Sequence, residues 1–185
     1  MSVQLPTALP GCVLRPWRPA DKGDLVRHAN NRRVWRNMTH TFPHPYTEDD
    51  ADLWLQIGAS PGASIQLAID VDGQAVGGIG AIAGEGIYAA TALFGYWLGE
   101  AYWGRGIATA AATALTTRIA AERLFARLEA QVFEWNPASM RVLEKAGFEH
   151  EAVLRCGATK DGTLIDTVLY ARVLGRSGEP WQRPA

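Results

Sequence analysis

Tyr96-Trp97-Leu98-Gly99-Glu100-Ala101-Tyr102-Trp103-Gly104-Arg105-Gly106-Ile107-Ala108-Thr109-Ala110-Ala111 is the stretch whose reading decides the fold. An extended apolar segment leads into a glycine turn, and the turn opens an alanine-rich helix. Gly104 and Gly106 carry no Cβ, so backbone N–H groups of the turn can come close to a ligand. The helix behind them aims its unpaired amides and the positive end of its dipole at the same point. Together they make an anion site suited to a diphosphate, and Arg105 adds a full charge. A Gly-x-Gly turn before a helix also occurs as plain turn chemistry, so this segment alone does not name its ligand.

Absent motifs narrow the choice. No Gly-Lys-Ser/Thr stands anywhere in the chain, which excludes a P-loop. A dinucleotide fingerprint needs a third small residue where Thr109 follows Gly104 and Gly106. A second run, Asn136-Pro137-Ala138-Ser139-Met140-Arg141-Val142-Leu143-Glu144-Lys145-Ala146-Gly147-Phe148, reads as a short capped helix. Asn136 is a good N-cap, Pro137 fits the first helical position, and Gly147 suits the left-handed turn past the end. It follows a strand-like run from Ala126 to Phe133, at the interval expected if the glycine turn and Asn136 flank one cleft.

These two linked segments resemble the GNAT superfamily of acyl-CoA-dependent N-acyltransferases, in particular its branch of ribosomal-protein N-terminal acetyltransferases. The family's phosphate motif, Gln/Arg-x-x-Gly-x-Gly/Ala, is met at Trp103, Gly106 and Ala108, with Trp in place of the first polar residue. The Asn-x-x-Ser…Glu-Lys-x-Gly-Phe run is similar to the family's second CoA-contacting segment. Leu14-Arg15-Pro16-Trp17 and Phe42-Pro43-His44-Pro45-Tyr46 resemble the branch's opening strand and first-helix loop, so the likeness runs from Leu14 to Ala171.

The resemblance implies an α/β fold with a central mixed, mostly antiparallel sheet of about seven strands, splayed at the acyl-CoA cleft and flanked by about four helices. It implies a single domain over residues 1–185, with its core at 12–174 and a frayed tail at 175–185. A coarse pass agrees. Strands are expected at Cys12–Trp17, Ser64–Val71, Gln74–Ile82, Ile87–Leu98, Ala126–Phe133, Phe148–Gly157 and Leu164–Leu174, with Asp72-Gly73 as a hairpin turn. Helices are expected at Asp21–Asn31, after Thr47 (with Asp50 as its reciprocal capping partner) and at Ile107–Leu124.

Composition fits one globular domain: 185 residues, 48% hydrophobic, net charge −1. That charge gives no reason to expect nucleic acid, and a solvated face explains Arg27, Arg32, Arg33 and Arg36 better than RNA does. No signal peptide or membrane-spanning run is expected. Cys12 and Cys156 lie far apart and read as reduced thiols of a cytoplasmic protein. His28, His40, His44 and His150 show no paired spacing, so no metal is expected.

The resemblance further implies acetyl transfer from acetyl-CoA to a primary amine, by direct attack in a ternary complex. By resemblance, Trp97 and Leu98 hold the pantetheine arm through strand amides, and the segment Trp103, Gly104, Arg105, Gly106, Ile107, Ala108 and Thr109 holds the diphosphate. Asn136 and Ser139 face the pantetheine and sulfur, and the Ser139 hydroxyl stabilises or protonates the leaving thiolate. Ser139 also reads as a helix-start hydroxyl bonded to its own backbone. Two departures stand out. Leu143 occupies the position near which many members carry an acidic tyrosine, and Gln131 stands where a glutamate base is common. Glu129, two residues earlier, could act through a water or be an ordinary charged strand end; Asp166, His40 and His44 are weaker candidates.

The missing base bears on the acceptor. An α-amine titrating near 7.7–8.0 is roughly a quarter neutral at cytosolic pH, whereas deprotonating a lysine costs about 4 kcal/mol. A site without a strong base therefore suits an α-amine or a small low-pKa amine. The pocket for it is expected from the loop His40–Tyr46, the helix after Thr47 and the hairpin at Asp161–Thr167, with Tyr46 and Trp35 lining it and Asp166 meeting an ammonium. A peptide N-terminus and a small-molecule amine both remain open. So do a non-catalytic acyl-CoA-binding module, a longer acyl group, and a homodimer of the kind many relatives form.

Overall fold

In a computed structural model the chain is described over residues 4–58 and 64–182. Eight strands form one sheet: β1 (Leu5–Pro6), β2 (Cys12–Arg15), β3 (Ile65–Val71), β4 (Gln74–Ala83), β5 (Thr91–Leu98), β6 (Arg127–Phe133), β7 (Glu149–Lys160) and β8 (Thr163–Val173). Their spatial order is β1-β2-β3-β4-β5-β6-β8-β7, and every pair is antiparallel except β5 with β6. Five helices accompany them among the described residues: α1 (Lys22–Ala29), α2 (Arg32–Trp35), α3 (Glu48–Gly58), α4 (Ile107–Ala121) and α5 (Pro137–Lys145).

Local chemistry explains most boundaries. Asp72 and Gly73 sit at φ 51° and 89°, the left-handed pair that joins β3 to β4 by a two-residue turn. Thr47 caps α3, its hydroxyl accepting from Asp50 N–H while the Asp50 carboxylate accepts from Thr47 N–H at 2.8 Å. The strand expected from Ile87 begins only at Thr91, because Gly86 at φ 55° turns the chain into a single 3₁₀ coil through Tyr88. Ile87 is left 92% exposed, with no sheet neighbour to bury it. The two-residue strand β1 lies outside the seven expected, being too short for any periodicity to announce it.

The sheet separates two cores. On one face, Phe94, Leu98, Leu128 and Val132 pack on Ile107, Ala111, Leu115 and Ile119 of α4, whose alanines let it lie close. On the other, Trp17, Leu25, Tyr46 and Trp97 form a smaller cluster with α1 and α3. Arg15, 1% exposed, fastens that second layer: it donates to Asp70 on β3 at 2.6 Å and, through both terminal nitrogens, to Asp21 at 2.7 and 2.8 Å.

The one parallel pairing creates the site. β5 and β6 are paired only at Thr91↔Arg127, Ala92↔Leu128 and Leu93↔Glu129. Beyond Leu93 the two strands part, each still bonded to its outer neighbour, as Leu98 to β4 and Phe133 to β8.

Candidate active site

Strand alternation settles which backbone groups face the gap. Gly99 N–H donates to Val76 on the β4 side, and Thr91 C=O accepts from Gly84 there, whereas Ala90 C=O accepts from Ala126 on the β6 side. Odd-numbered residues of β5 therefore turn to β4, and even-numbered Phe94, Tyr96 and Leu98 turn their backbone groups into the gap. This corrects one expectation: the Trp97 amide is turned to β4, and its ring lies in the α1/α3 core, 5.6 Å from Phe42. The backbone groups of Tyr96 face the gap instead. The Leu98 carbonyl accepts from the Trp103 indole N–H at 2.7 Å, which ties the glycine turn to the end of β5.

At the start of α4, Gly104 and Gly106 lie at φ 73° and 77°, and Gly106 occupies the N-cap position with no side chain capping it. The first amides of a helix have no partner inside it, so those of Ile107, Ala108 and Thr109 point outward as donors. A Cβ at Gly106 would find no protein atom closer than Leu9 at 4.0 Å, so the turn is open toward solvent.

Trp97, Leu98, Trp103, Gly104, Gly106, Ile107, Ala108, Thr109, Asn136 and Ser139 all border one cavity of about 400 Å³ on the α4 face. Arg105 does not; its guanidinium lies over the Tyr102 ring at 5.2 Å. Positive charge on the cavity wall comes instead from Arg141 and Lys145, one turn apart on α5. Their i, i+4 spacing is visible in the sequence and was the available signal.

Asn136 caps α5, its side-chain oxygen accepting from Ser139 N–H at 3.1 Å. The Ser139 hydroxyl is not spent on its own backbone: it lies 2.7 Å from the Tyr96 hydroxyl, which also reaches the Ser139 carbonyl at 3.3 Å. Burial pushes the Tyr96 phenol up to about 12, against a smaller lowering by Ser139, so it stays protonated as a donor. A tyrosine hydroxyl thus stands at the cleft after all, supplied by β5 rather than by the helix position that Leu143 fills.

Glu129 does not join this group. It sits where β5 and β6 are still paired, accepts from Arg127 at 2.7 Å, and borders neither cavity. Arg127 also grips Glu151 at 2.9 and 2.5 Å, so Glu129 belongs to a surface ion cluster. Asp166 is likewise committed, accepting from Cys156 N–H at 2.8 Å in an irregular part of β7. Among the described residues no group of His, Cys, Asp or Glu could hold a metal, and no helix is long and apolar enough to cross a membrane.

A second cavity, about 780 Å³, opens on the opposite face beneath α3 and the loop from Asn37 to Tyr46. Tyr46 and His40 border it as expected, but Trp35 does not; its ring is stacked on His44 and covers the Lys160 ammonium at 3.6 Å. The two cavities share Asn37, Met38, Phe94, Gly95, Tyr96, Trp97, Gln131 and Phe133, so they meet at the gap between β5 and β6 and beside the loop that follows α2. A Cβ built on Gly95 meets nothing within 4 Å. A ligand entering from each face of the sheet can meet the other there.

Known proteins share this fold. The acetyltransferase (GNAT) domain family matches residues 12–149. A probable N-acetyltransferase of Bacillus subtilis, YjcK, is 41% identical over 81 residues, 44% of this chain and 45% of that protein's length. RimL, a ribosomal L7/L12 alpha-N-protein acetyltransferase solved with coenzyme A, superposes with TM-score 0.82 at 21% identity, over 93% of this chain and 98% of its own. RimJ of Mycobacterium smegmatis, solved with a CoA disulfide, gives TM-score 0.75 at 25% identity over 93% and 86%. A splayed parallel pair, a left-handed glycine turn opening α4 and a family match over most of the length agree: the chain belongs to the GNAT acetyltransferase family.

Proposed function

We propose that the protein is an acetyl-CoA-dependent N-acetyltransferase acting on a primary α-amine. One observation carries this reading: two cavities on opposite faces of the sheet meet at Tyr96 and Gln131, with a hydroxyl pair beside the junction. The diphosphate would rest on the amides of Gly106 to Thr109, with Arg141 and Lys145 nearby, and the pantetheine arm would run along the gap-facing groups of Tyr96 and Leu98. The amine nitrogen attacks the thioester carbonyl, the C–S bond breaks, and the proton lost by nitrogen goes to the departing sulfur. The RimL and RimJ likenesses support a protein N-terminus as acceptor class, and the absence of a carboxylate from the residues shared by the two cavities supports a low-pKa amine.

Magnitudes decide the role of the hydroxyl pair. Passing a proton from a phenol near 12 to a thiolate whose acid titrates near 8.5 is uphill by about 5 kcal/mol. Ser139 therefore acts as a hydrogen-bond donor to the thiolate, with Tyr96 holding its hydroxyl in place.

Coenzyme A release measured with a thiol reagent against peptides with free N-termini tests the reading. Turnover is expected with α-amines and not with lysine side chains; binding of the thioester without release from any amine would overturn it. Two further outcomes are expected. Gly106→Asp puts a strained side chain and a negative charge against the diphosphate, so calorimetry should show acetyl-CoA affinity weakened about 10- to 100-fold. The kcat/KM profile should climb with pH along the acceptor's own amine titration, moving with the amine when its pKa is changed by design.

A further inference from the structure

The second cavity has a composition that the fold alone does not require. Three titratable side chains that carry or can gain charge at neutral pH border it among the described residues: Asp50, His40 and Lys160. The Asp50 carboxylate is spent on Thr47, accepting from its amide at 2.8 Å and its hydroxyl at 2.6 Å. The Lys160 ammonium is spent on the Trp35 and Met38 carbonyls at 3.1 and 2.9 Å and on the Trp35 ring. The one carboxylate facing the space among the described residues is thus already held by Thr47, and the Lys160 ammonium on the same wall offsets its charge.

The rest of the wall is mostly apolar, interrupted by Asn37, Gln66, Gln131 and several threonines. Phe42, Trp54, Trp97 and Phe133 surround it, and Gly95, where a Cβ would meet nothing within 4 Å, leaves part of its floor open. Leu53, Ile57, Ile82 and Leu93 border the same cavity although they are 59%, 53%, 49% and 49% exposed. Large apolar side chains exposed together beside a concave site mark a surface that a ligand covers.

Resting on the acetyltransferase reading above, we infer that the acceptor is a primary amine borne on a bulky apolar or aromatic group and lacking a second positive charge. A polyamine or aminoglycoside finds a single carboxylate, already held by Thr47 and opposed by the Lys160 ammonium, and a small polar N-terminal residue leaves the apolar wall wet. The cavity also replaces the missing base in part. An amine drawn into apolar surroundings loses solvation of its charged form, which favours the neutral nucleophile.

The test uses the full chain with three acceptor probes: phenylalaninamide, alaninamide and spermidine. Acetyl transfer is followed by coenzyme A release, and amine binding to the CoA-loaded protein by calorimetry. Phenylalaninamide is expected to exceed alaninamide by at least about tenfold in kcat/KM and in affinity, with spermidine weaker than both. The paired substitution Leu53→Ser and Ile82→Ser, on half-exposed positions outside the coenzyme A cavity, should cut that ratio by at least about threefold and leave coenzyme A affinity unchanged. Equal or better binding of alaninamide or spermidine, no binding of phenylalaninamide, or a ratio untouched by the paired substitution each overturns the inference. Selective binding of phenylalaninamide without coenzyme A release would leave this pocket assignment standing and sink acetyl transfer instead.

Discussion

Ser139→Ala is expected to lower kcat for acetyl transfer by about 10²- to 10³-fold, the usual cost of losing one donor at a developing charge. Coenzyme A affinity should hardly move, since the seat proposed for the diphosphate is on α4 and not on this hydroxyl. The alanine keeps α5 intact, because Asn136 and not Ser139 caps it. Tyr96→Phe should cost less, about tenfold, since phenylalanine fills the same space and removes only the partner that orients the serine. The double variant should be no slower than Ser139→Ala alone, because a residue acting through another adds nothing once that other is gone. Rapid-quench rates for the three variants measure this. A Ser139→Ala enzyme with unimpaired kcat would remove the hydroxyl pair from the mechanism.

Arg15→Met should be the most destabilising single change in the molecule. Both carboxylates that Arg15 joins, Asp21 and Asp70, have side chains only 6% and 7% exposed. Removing the cation leaves two buried anions without compensation, a loss of about 3–5 kcal/mol. For a chain of this length that corresponds to a fall in Tm of roughly 6–20 °C by calorimetry. The same variant should loosen the acceptor side first, since Asp21 leads into α1 and Asp70 also holds the β3–β4 turn through Gly73 N–H at 2.8 Å.

How much of this could be read from the sequence follows the range of the interaction. The glycine turn, the Asn136 cap, the Thr47–Asp50 box and the Asp72-Gly73 hairpin depend on residues within a few positions of one another, and each stands where it was expected. The Tyr96–Ser139 contact joins residues 43 positions apart, and nothing local in either segment announces it. The orientation of the Trp97 amide escapes the sequence for a different reason. A strand turns alternate backbone groups to opposite neighbours, so a one-residue difference in phase hands the gap to Tyr96. Glu129 lies on the expected strand, but its neighbour Arg127 and the distant Glu151 draw it into an ion cluster. Arg105 reads as a phosphate ligand by adjacency, yet its long side chain finds the Tyr102 ring, while α5 brings Arg141 and Lys145 to the wall.

The unfinished ladder between β5 and β6 has a consequence for the free protein. Tyr96 and Leu98 amides there lack a strand to bond with, and the inner edge of a sheet left bare is softer than its zipped portion at Thr91 to Leu93. An extended carrier lying in that slot serves as a missing stave. Its arrival should slow hydrogen–deuterium exchange at those amides and stabilise the folded chain by about 2.7 kcal/mol at a hundredfold excess over Kd. Copies starved of the carrier are thereby the ones that proteases reach first.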